Sequence, residues 1–326
     1  MRILIIKSTS LGDVVHNLPV IADIKRRHPN AAVDWVVEES FVDILTMHPG
    51  INLIIPVAVR RWRKVLFCRE TWRELAAFKR QLQAHTYDIV IDTQGLLKSA
   101  VICYLSRSAN KCGYDKVSAR ESIASYFYHH RFSVSLALHA VQRNRELVAL
   151  ALGYTIDSNL LDYGIQSNSA LVESNSLPAR YIMALHGTSR DSKLWPVAQW
   201  ILLGRLLESQ GLSLVLPWGN QVELERAKQI ASEIKLAVLL PKLSIAALAK
   251  IIQGSQAVIG VDTGLAHLAV ALNKPVIAIY TDTDPSLTGL YGANQRACKN
   301  LGGKQIDTSP QEVLMQLKTF KGNTPF

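Results

Sequence analysis

The 326-residue chain lacks the marks of several large protein classes. No apolar run reaches the roughly 18 residues that a membrane span needs, and Met1–Lys7 is too short and wrongly flanked for a signal peptide. Four cysteines occur, with no CxxC pair and no metal-type spacing to histidine: Cys68, Cys103, Cys112 and Cys298. We therefore expect reduced, packed thiols, no resident metal, and a protein kept in the cytoplasm.

The sequence also lacks two common nucleotide-binding motifs, and it has fewer acidic than basic residues. Neither GxGxxG nor GxxxxGK[ST] occurs, which argues against dinucleotide oxidoreductases and P-loop NTPases. The chain has 36 Lys and Arg against 26 Asp and Glu, a formal net charge of +10. Such an excess suits an anionic partner, whether nucleic acid, a phospholipid surface or a phosphorylated substrate. Charge alone does not choose among these.

Buried strands alternate with helix-length segments along both halves of the chain. This alternation predicts an α/β protein with two doubly wound parallel sheets. The predicted strands cover 2–7, 33–38, 53–57 and 88–92, then 181–186, 212–217, 237–240, 257–261 and 275–280, and helices are predicted at Val14–Arg27 and Pro310–Phe320 among others. Between residues 152 and 177 the pattern weakens into Gly, Ser, Asn and Asp, which indicates a domain boundary.

The most informative stretch runs from Ala257 to Leu272. An apolar strand stops at Asp262-Thr263-Gly264 and the apolar residues resume with helical spacing. Good capping residues and a glycine at a helix N-terminus predict an anion site, most simply for a phosphate. His267 would add a donor from the first turn. An ordinary βα turn with a packed histidine explains the same residues equally well.

Loops after the other second-half strands carry further candidates. Thr188, Ser189 and Lys193 supply two hydroxyls and a cation where a diphosphate would lie. Glu223 is a candidate for binding ribose hydroxyls, although a glutamate in a first helical turn also simply favours the helix dipole. The Asp-x-Asp pattern ending at Asp284 could hold a divalent metal, but Asp-Pro also forms an ordinary turn.

In the first half, polar residues such as Ser10, Asp13 and Lys98 follow predicted strands and are placed toward one crevice. Asp13 has two interpretations. As a structural residue it would be the N-cap of a helix beginning at Val14; as a catalytic residue it would be a general base at the crevice between the domains.

A basic segment from Arg60 to Arg80 holds eight basic residues against two acids, with Trp62, Phe67 and Trp72 interleaved. It would either bind an anionic, partly apolar partner or form a solvated helix face whose aromatics pack inward. Arg120 extends the positive charge.

Together these motifs resemble the bacterial lipopolysaccharide heptosyltransferases of glycosyltransferase family 9. The resemblance is carried by Ile6–Val14, Pro56–Lys64, Asp92–Ser99, Thr188–Pro196, Leu216–Gly219 and Val261–His267. It implies a GT-B architecture, two Rossmann-like domains with parallel sheets facing across a cleft. Residues 1–170 would bind the acceptor, 171–308 the nucleotide sugar, and 309–326 would form a helix crossing back to the N-terminal domain.

The resemblance also implies the reaction and its residues. An inverting transfer would move L-glycero-D-manno-heptose from ADP-L-glycero-D-manno-heptose to Kdo of Kdo2-lipid A, without a cofactor, on the cytoplasmic face of the inner membrane, where the protein would be peripheral. The catalytic residues would be Asp13, as base, and Lys193. Donor contacts would be Thr188, Ser189, Lys193, Glu223, Leu243, Asp262, Thr263, Gly264 and His267. Acceptor contacts would be Ser10, Arg60, Arg61, Arg63, Lys64, Lys98 and Arg120.

Two positions depart from the family's pattern. Ser189 stands where a threonine is expected, which keeps the hydroxyl, and Leu243 stands where a methionine is expected near the adenine, which keeps an apolar contact. Neither change puts the activity in doubt.

Three alternatives remain open at this point. One is a heptosyltransferase that acts on a later core acceptor, and another is a non-transferring sugar-nucleotide epimerase of the same architecture. A third is a basic, non-catalytic binder of nucleic acid or membrane. Nucleic-acid binding would leave the donor residues without a function, so we expect no nucleic-acid partner.

Overall fold

The computed structural model describes residues 1–65, 68–166 and 177–320. The chain divides into two compact units, Met1–Gln166 and Ser167–Phe326. The predicted boundary at 170/171 falls within 167–176, outside the described residues. Each unit contains a six-stranded sheet whose strands all pair in parallel, which confirms the predicted pair of parallel sheets.

The first unit alternates strands and helices from its first residues. Its strands are β1 Arg2–Ile6, β2 Ala32–Glu38, β3 Leu53–Val57, β4 Ile89–Asp92, β5 Lys111–Tyr114 and β6 His130–Phe132. Its helices are α1 Leu11–Asn17, α2 Pro19–Arg27, α3 Val42–Thr46, α4 Val59–Trp62, α5 Arg69–Leu82, α6 Leu97–Leu105 and α7 Ala140–Leu152, with 3-10 turns at Glu39–Phe41 and Ser122–Phe127. The strand order is β3-β2-β1-β4-β5-β6.

The position of β1 in the centre of the sheet explains its continuous apolar run. The strand pairs with both β2 and β4, and Ile3 through Ile6 are fully buried because helices cover both faces of the sheet. A continuous apolar run, rather than an alternating one, is the sequence pattern that such a strand requires.

The helix predicted from Val14 to Arg27 was wrong in its bounds. The structure has two helices, α1 and α2, and α1 begins at Leu11 after Ser10, the N-cap residue. Pro19 starts α2 because proline lacks the N–H that a continuing helix would need but is well accommodated in a first helical turn.

The second unit repeats the same architecture. Its strands are β7 Tyr181–Leu185, β8 Ser213–Leu216, β9 Ala237–Leu239, β10 Ala257–Val261, β11 Val276–Tyr280 and β12 Cys298–Gly302. Its helices are α8 Val197–Glu208, α9 Gln221–Ala231, α10 Ile245–Gly254, α11 Gly264–Ala271, α12 Pro285–Thr288 and α13 Pro310–Thr319, with 3-10 turns at Asp191–Lys193 and Gln295–Ala297. The order is β12-β11-β10-β7-β8-β9.

Strands β5, β6 and β12 were not predicted, since their sequences are short and polar. β5 even contains Gly113, because the ring of Tyr128 occupies the space where a Cβ atom would lie. No helix in the described part of the chain is long and apolar enough to cross a membrane.

The last helix, α13, was predicted to cross back to the N-terminal domain. Its described residues pack against α8 and β11 of the second unit, where Val313 and Leu317 join the hydrophobic core, and the crossing stays a prediction. Residues 321–326 lie outside the described part of the chain.

Candidate functional site

The loops that follow the central strands carry the candidate residues. The strand order reverses between β1 and β4 in the first unit, and between β7 and β10 in the second. In open parallel sheets, ligands bind beyond the carboxyl ends of the strands at this point of reversal. Asp13 follows β1 in the chain, and Asp262 directly follows β10.

Asp13 lies in the first turn of α1, at the third helical position, so the prediction that it caps the helix was wrong and Ser10 is the N-cap residue. Its carboxylate accepts the backbone N–H of Ser10 at 2.9 Å and the guanidinium of Arg120 at 3.2 and 3.3 Å. The side chain of Asp13 is 16% exposed. The structure thus brings Ser10, Asp13 and Arg120 together.

A buried lysine that the sequence did not single out sets the charge of this site. The Nζ of Lys7 donates hydrogen bonds to the Thr93 carbonyl at 2.7 Å and to the Asn144 side-chain oxygen at 3.2 Å. Burial lowers the pKa of Lys7 to about 8. Burial also acts to raise the pKa of Asp13, but the positive charges of Lys7 and Arg120 outweigh it and hold that pKa below its ordinary value. Asp13 is therefore ionised at neutral pH and able to accept a proton.

A small polar pocket lies beside Asp13. Gln94 contributes its side-chain oxygen, which accepts the N–H groups of Ser8 and Thr9, each at 3.1 Å. The pocket is lined by Lys7, Asp13, Thr93, Gln94, Tyr114, Ser118, Arg120, Ala140, Arg143 and Asn144. Reasoning from the sequence missed Arg143 and Asn144 because they come from the middle of α7, where nothing distinguishes them from ordinary helix surface. Lys7 gave one signal, since a lysine ended an otherwise apolar strand.

Lys98 is the predicted acceptor cation in the first turn of α6. Lys98 lies close to the Asp13 loop, because its Nζ donates to the Thr9 hydroxyl at 2.7 Å. Burial lowers the pKa of Lys98; Glu38 opposes this shift, while the nearby charges of Arg60 and Arg63 add to it. The positive charges of Arg60 and Arg63 are therefore near enough to Lys98 to lower its pKa.

Arg61 is the acceptor candidate that already has anionic partners. It contacts the carboxylates of Glu39 at 3.1 Å and Glu74 at 2.9 Å. Trp62 is buried and donates its indole N–H to Glu74, whereas Trp72 is 63% exposed. The inward-packing interpretation thus holds for Trp62 but not for Trp72, and Phe67 lies outside the described residues.

Arg60 and Lys64 are both exposed. The backbone N–H of Arg60 donates to Glu38 at 2.9 Å, and its guanidinium carbon lies 5.2 Å from the centre of the Phe41 ring. The Arg60 guanidinium is thereby held at the surface, and no ion pair joins it to an acid in the part of the chain that the structure describes.

In the second unit, Asp262 links the loops after β7 and β10. Its carboxylate pairs with Lys193 Nζ at 2.6 Å, and its backbone carbonyl accepts the Thr188 hydroxyl at 2.8 Å. Thr263 is the N-cap residue of α11 but its side chain makes no capping hydrogen bond, and Gly264 begins the helix. His267 follows in the first turn and is 6% exposed. The cation and the helix N-terminus therefore flank the same aspartate.

Glu223 lies in the first turn of α9, the helix that follows β8, and it contacts the loop after β7. It accepts the Gly219 N–H at 2.7 Å, while Asn220 caps α9. A Cβ atom on Gly187 would come within 2.9 Å of the Glu223 carboxyl carbon, so the two loops are in contact and only glycine leaves that space. Glu223 is thereby fixed beside the Gly187–Lys193 loop.

The remaining donor candidates are less constrained. Ser189 is exposed, and Leu243 is half-buried in the loop after β9, the edge strand of the sheet. Asp284 is the N-cap residue of α12 and accepts the Ser286 N–H at 2.8 Å, which favours the turn interpretation of the Asp-x-Asp pattern. Across the described residues, no three His, Cys, Asp or Glu side chains are grouped so that they could hold a metal ion.

Comparison with known proteins identifies the family of the chain. The family model "Glycosyltransferase family 9 (heptosyltransferase)" matches residues 75–317. The chain is 42% identical to "Lipopolysaccharide heptosyltransferase 1" of Escherichia coli (strain K12), over 98% of this chain and 100% of that protein.

Solved structures give the same result. "E. coli heptosyltransferase WaaC with ADP" superposes with a TM-score of 0.89 and 39% identity, over 98% of this chain and 99% of that chain. The same enzyme "with ADP-2-deoxy-2-fluoro heptose" gives a TM-score of 0.85 with the same identity and coverage. The fold is therefore GT-B, and the chain belongs to glycosyltransferase family 9, the heptosyltransferases.

Proposed function

We propose that this glycosyltransferase moves L-glycero-D-manno-heptose from its ADP-linked form to Kdo of Kdo2-lipid A, inverting the anomeric centre. The observation that carries the proposal is the similarity along nearly the entire chain, in both units, to proteins named lipopolysaccharide heptosyltransferase 1. A later core acceptor is the alternative, and membership of family 9 favours transfer over epimerisation.

The second unit would bind the donor. Lys193 uses one N–H on Asp262, which leaves two for the diphosphate, and the N-terminus of α11 supplies backbone donors for an anion. As ADP departs, negative charge grows on the diphosphate, so these donors stabilise the transition state more than the ground state. Glu223 would hold the ribose, with Leu243 against the adenine.

The other donor residues would complete this half of the reaction. The hydroxyls of Thr188 and Ser189 suit the diphosphate, and Asp262, Thr263, Gly264 and His267 suit the heptose and its phosphate. These roles follow from the family resemblance and are supported by the contacts of Asp262 with Thr188 and Lys193.

The first unit would bind the acceptor and supply the base. Asp13 is ionised and partly exposed, so it can take the proton of an attacking hydroxyl in a single in-line displacement. Arg60, Arg63, Lys64, Lys98 and Arg120 would meet the carboxylates and phosphates of the acceptor. Arg61 is the weakest candidate, since two glutamates already neutralise it.

A lipid-linked acceptor also implies where the enzyme works. We propose that it is a peripheral protein on the cytoplasmic face of the inner membrane. The net charge of +10 supports this, because anionic headgroups attract basic surfaces.

The decisive experiment supplies one donor and two acceptors. Purified protein is incubated with ADP-heptose and either a delipidated Kdo2 acceptor or the same acceptor already carrying one heptose. Mass spectrometry should show a single added heptose on the first acceptor only, and NMR of the product should show the inverted anomer. Transfer to the second acceptor alone would replace the proposal by a later core step, and the retained anomer would exclude a single displacement.

A further inference from the structure

A cluster of large apolar side chains is exposed on the first unit. Leu97 and Val101 are each 39% exposed, Tyr104 61%, Ile123 51% and Tyr126 65%. We call these five residues the α6 patch. The first three recur at spacings of four and three and so share one face of α6, while Ile123 and Tyr126 belong to the 3-10 turn Ser122–Phe127.

Two contacts show that the helix and the turn lie side by side. At one end, the Leu97 N–H donates to the Glu121 carboxylate at 2.6 Å. At the other, the Tyr104 and Phe127 rings meet edge to face with centroids 6.1 Å apart. The helix and the turn that carry the five side chains therefore adjoin each other at both ends, and exposed apolar side chains grouped in this way mark an interaction site.

The charge around the α6 patch indicates what occupies it. Residues 97–132 contain six Lys and Arg against two Asp and Glu. Lys111 places its Nζ 5.2 Å from the centre of the Tyr104 ring. Tyrosines with apolar bodies and polar tips, on a segment with an excess of basic residues, suit the boundary between headgroups and acyl chains of an anionic bilayer.

The α6 patch is also continuous with the candidate acceptor site. Lys98, in the first turn of α6, reaches the Thr9 hydroxyl in the loop before Asp13. Arg120 pairs with Asp13 and lies two residues before the 3-10 turn begins. Helix α6 and the segment that leads into the 3-10 turn thus carry the cations near Asp13 as well as the apolar side chains.

We propose that the α6 patch docks on a bilayer that contains anionic phospholipid. This inference rests on the proposed function, because a lipid-anchored acceptor must present its sugar to Asp13 from the membrane surface. Tyrosine and aliphatic side chains would insert at headgroup level while the basic residues contact the phosphates. Docking would then hold the acceptor-binding loops at the height of the sugar.

The test measures vesicle binding by flotation. The wild-type chain is compared with a variant carrying Val101→Ser, Tyr104→Ser, Ile123→Ser and Tyr126→Ser, on vesicles of equimolar phosphatidylcholine and phosphatidylglycerol. We expect the partition coefficient of the variant to fall at least about tenfold, since four apolar contacts with the bilayer are lost. Pure phosphatidylcholine vesicles should bind the wild type more weakly, as should high salt.

A matched control separates the α6 patch from apolar surface in general. Val222 and Met315 are 78% and 57% exposed on the second unit. The variant with Val222→Ser and Met315→Ser should bind vesicles like the wild type. Equal melting temperatures for the three proteins would show that binding differences do not arise from unfolding.

The outcomes also distinguish this inference from the proposed function. Transfer to a soluble delipidated acceptor should be unchanged in the α6 patch variant, while transfer to acceptor embedded in vesicles should fall. Wild-type binding that is absent, or unaffected by the four substitutions, would overturn the inference. So would a wild-type dimer in gel filtration that the substitutions dissociate, because a second copy would then occupy the surface. No transfer to any acceptor, with vesicle binding intact, would overturn only the proposed function.

Discussion

Replacing Asp13 with asparagine separates a catalytic carboxylate from a structural one. Asparagine is nearly isosteric with aspartate but cannot take a proton. Loss of a positioned base typically lowers the rate by a factor of about 10²–10⁴. We therefore expect turnover of Asp13→Asn to fall by at least the lower end of this range, about a hundredfold. Binding of ADP-heptose, measured by calorimetry, should stay near wild type, because the donor candidates all lie in the second unit.

The contacts of Asp13 set the cost in stability. Its carboxylate accepts both the Ser10 N–H and the Arg120 guanidinium, and an amide oxygen with a neighbouring NH₂ group cannot serve both equally well. Losing a partly exposed ion pair costs about 0.2–1 kcal/mol, and losing an acid in a first helical turn costs about 0.3–1 kcal/mol. We therefore expect a loss of roughly 0.5–2 kcal/mol in the free energy of unfolding, or a few degrees in Tm.

Glu312 provides the matched control. It occupies the first turn of α13 behind Ser309, the N-cap residue, as Asp13 does behind Ser10. Glu312→Gln should lower stability by only the helix-dipole contribution, about 0.3–1 kcal/mol, and leave turnover unchanged. An Asp13→Asn enzyme that loses stability but keeps near-normal turnover would refute the base assignment and leave Asp13 as a structural residue.

The pH dependence supplies a second check on the same residue. Lys7 and Arg120 hold the pKa of Asp13 below its ordinary value, so the acid limb of kcat/KM should lie below the usual aspartate range. Arg120→Gln removes one of these positive charges, which raises the pKa of Asp13 and should move the acid limb to higher pH. A limb that stays in place would assign it to another group.

Three further predictions concern the other charged residues. Lys193→Ala should lower kcat by roughly two to four orders of magnitude, whereas Glu223→Gln should mainly raise the donor KM, as steady-state kinetics would show. Arg63→Glu should raise the acceptor KM and leave the donor KM unchanged, while Arg61→Glu should instead lower Tm, because it places a third acid beside two glutamates. Lys7 has a lowered pKa of about 8 in the folded protein, so above that pH the unfolded chain binds more protons than the folded one. The free energy of unfolding, measured by urea titration, should therefore rise between pH 8 and 10 in the wild type relative to Lys7→Met, by on the order of 1–3 kcal/mol.

The fold was predictable where one physical rule acts alone. A strand buried on both faces is mostly apolar, so β1, β7 and β10, and β4 up to its last residue Asp92, are visible as apolar runs in the sequence. Strand β5 is not, because it contains Gly113, whose missing side chain makes room for Tyr128 from a distant turn. Such long-range packing leaves no periodic signal in the sequence.

Charged contacts could be predicted in part. Asp13 and Arg120 were both assigned to the first unit's site, but their ion pair joins residues whose approach depends on how α1 and the segment before the 3-10 turn Ser122–Phe127 are placed. Lys7 could not be assigned a role because its burial, which lowers its pKa, depends on α7 covering the end of β1 through Asn144.

The two central aspartates are held in the same physical way. Asp13 is paired with Arg120, and Asp262 with Lys193, at 3.2 and 2.6 Å. Each cation offsets part of the cost of keeping its aspartate carboxylate mostly out of solvent, since Asp13 is 16% and Asp262 12% exposed. An anionic ligand that binds the cation weakens its hold on the aspartate. For Asp13 this raises the carboxylate's affinity for a proton when an anionic acceptor engages Arg120, so acceptor binding would itself make Asp13 a stronger base.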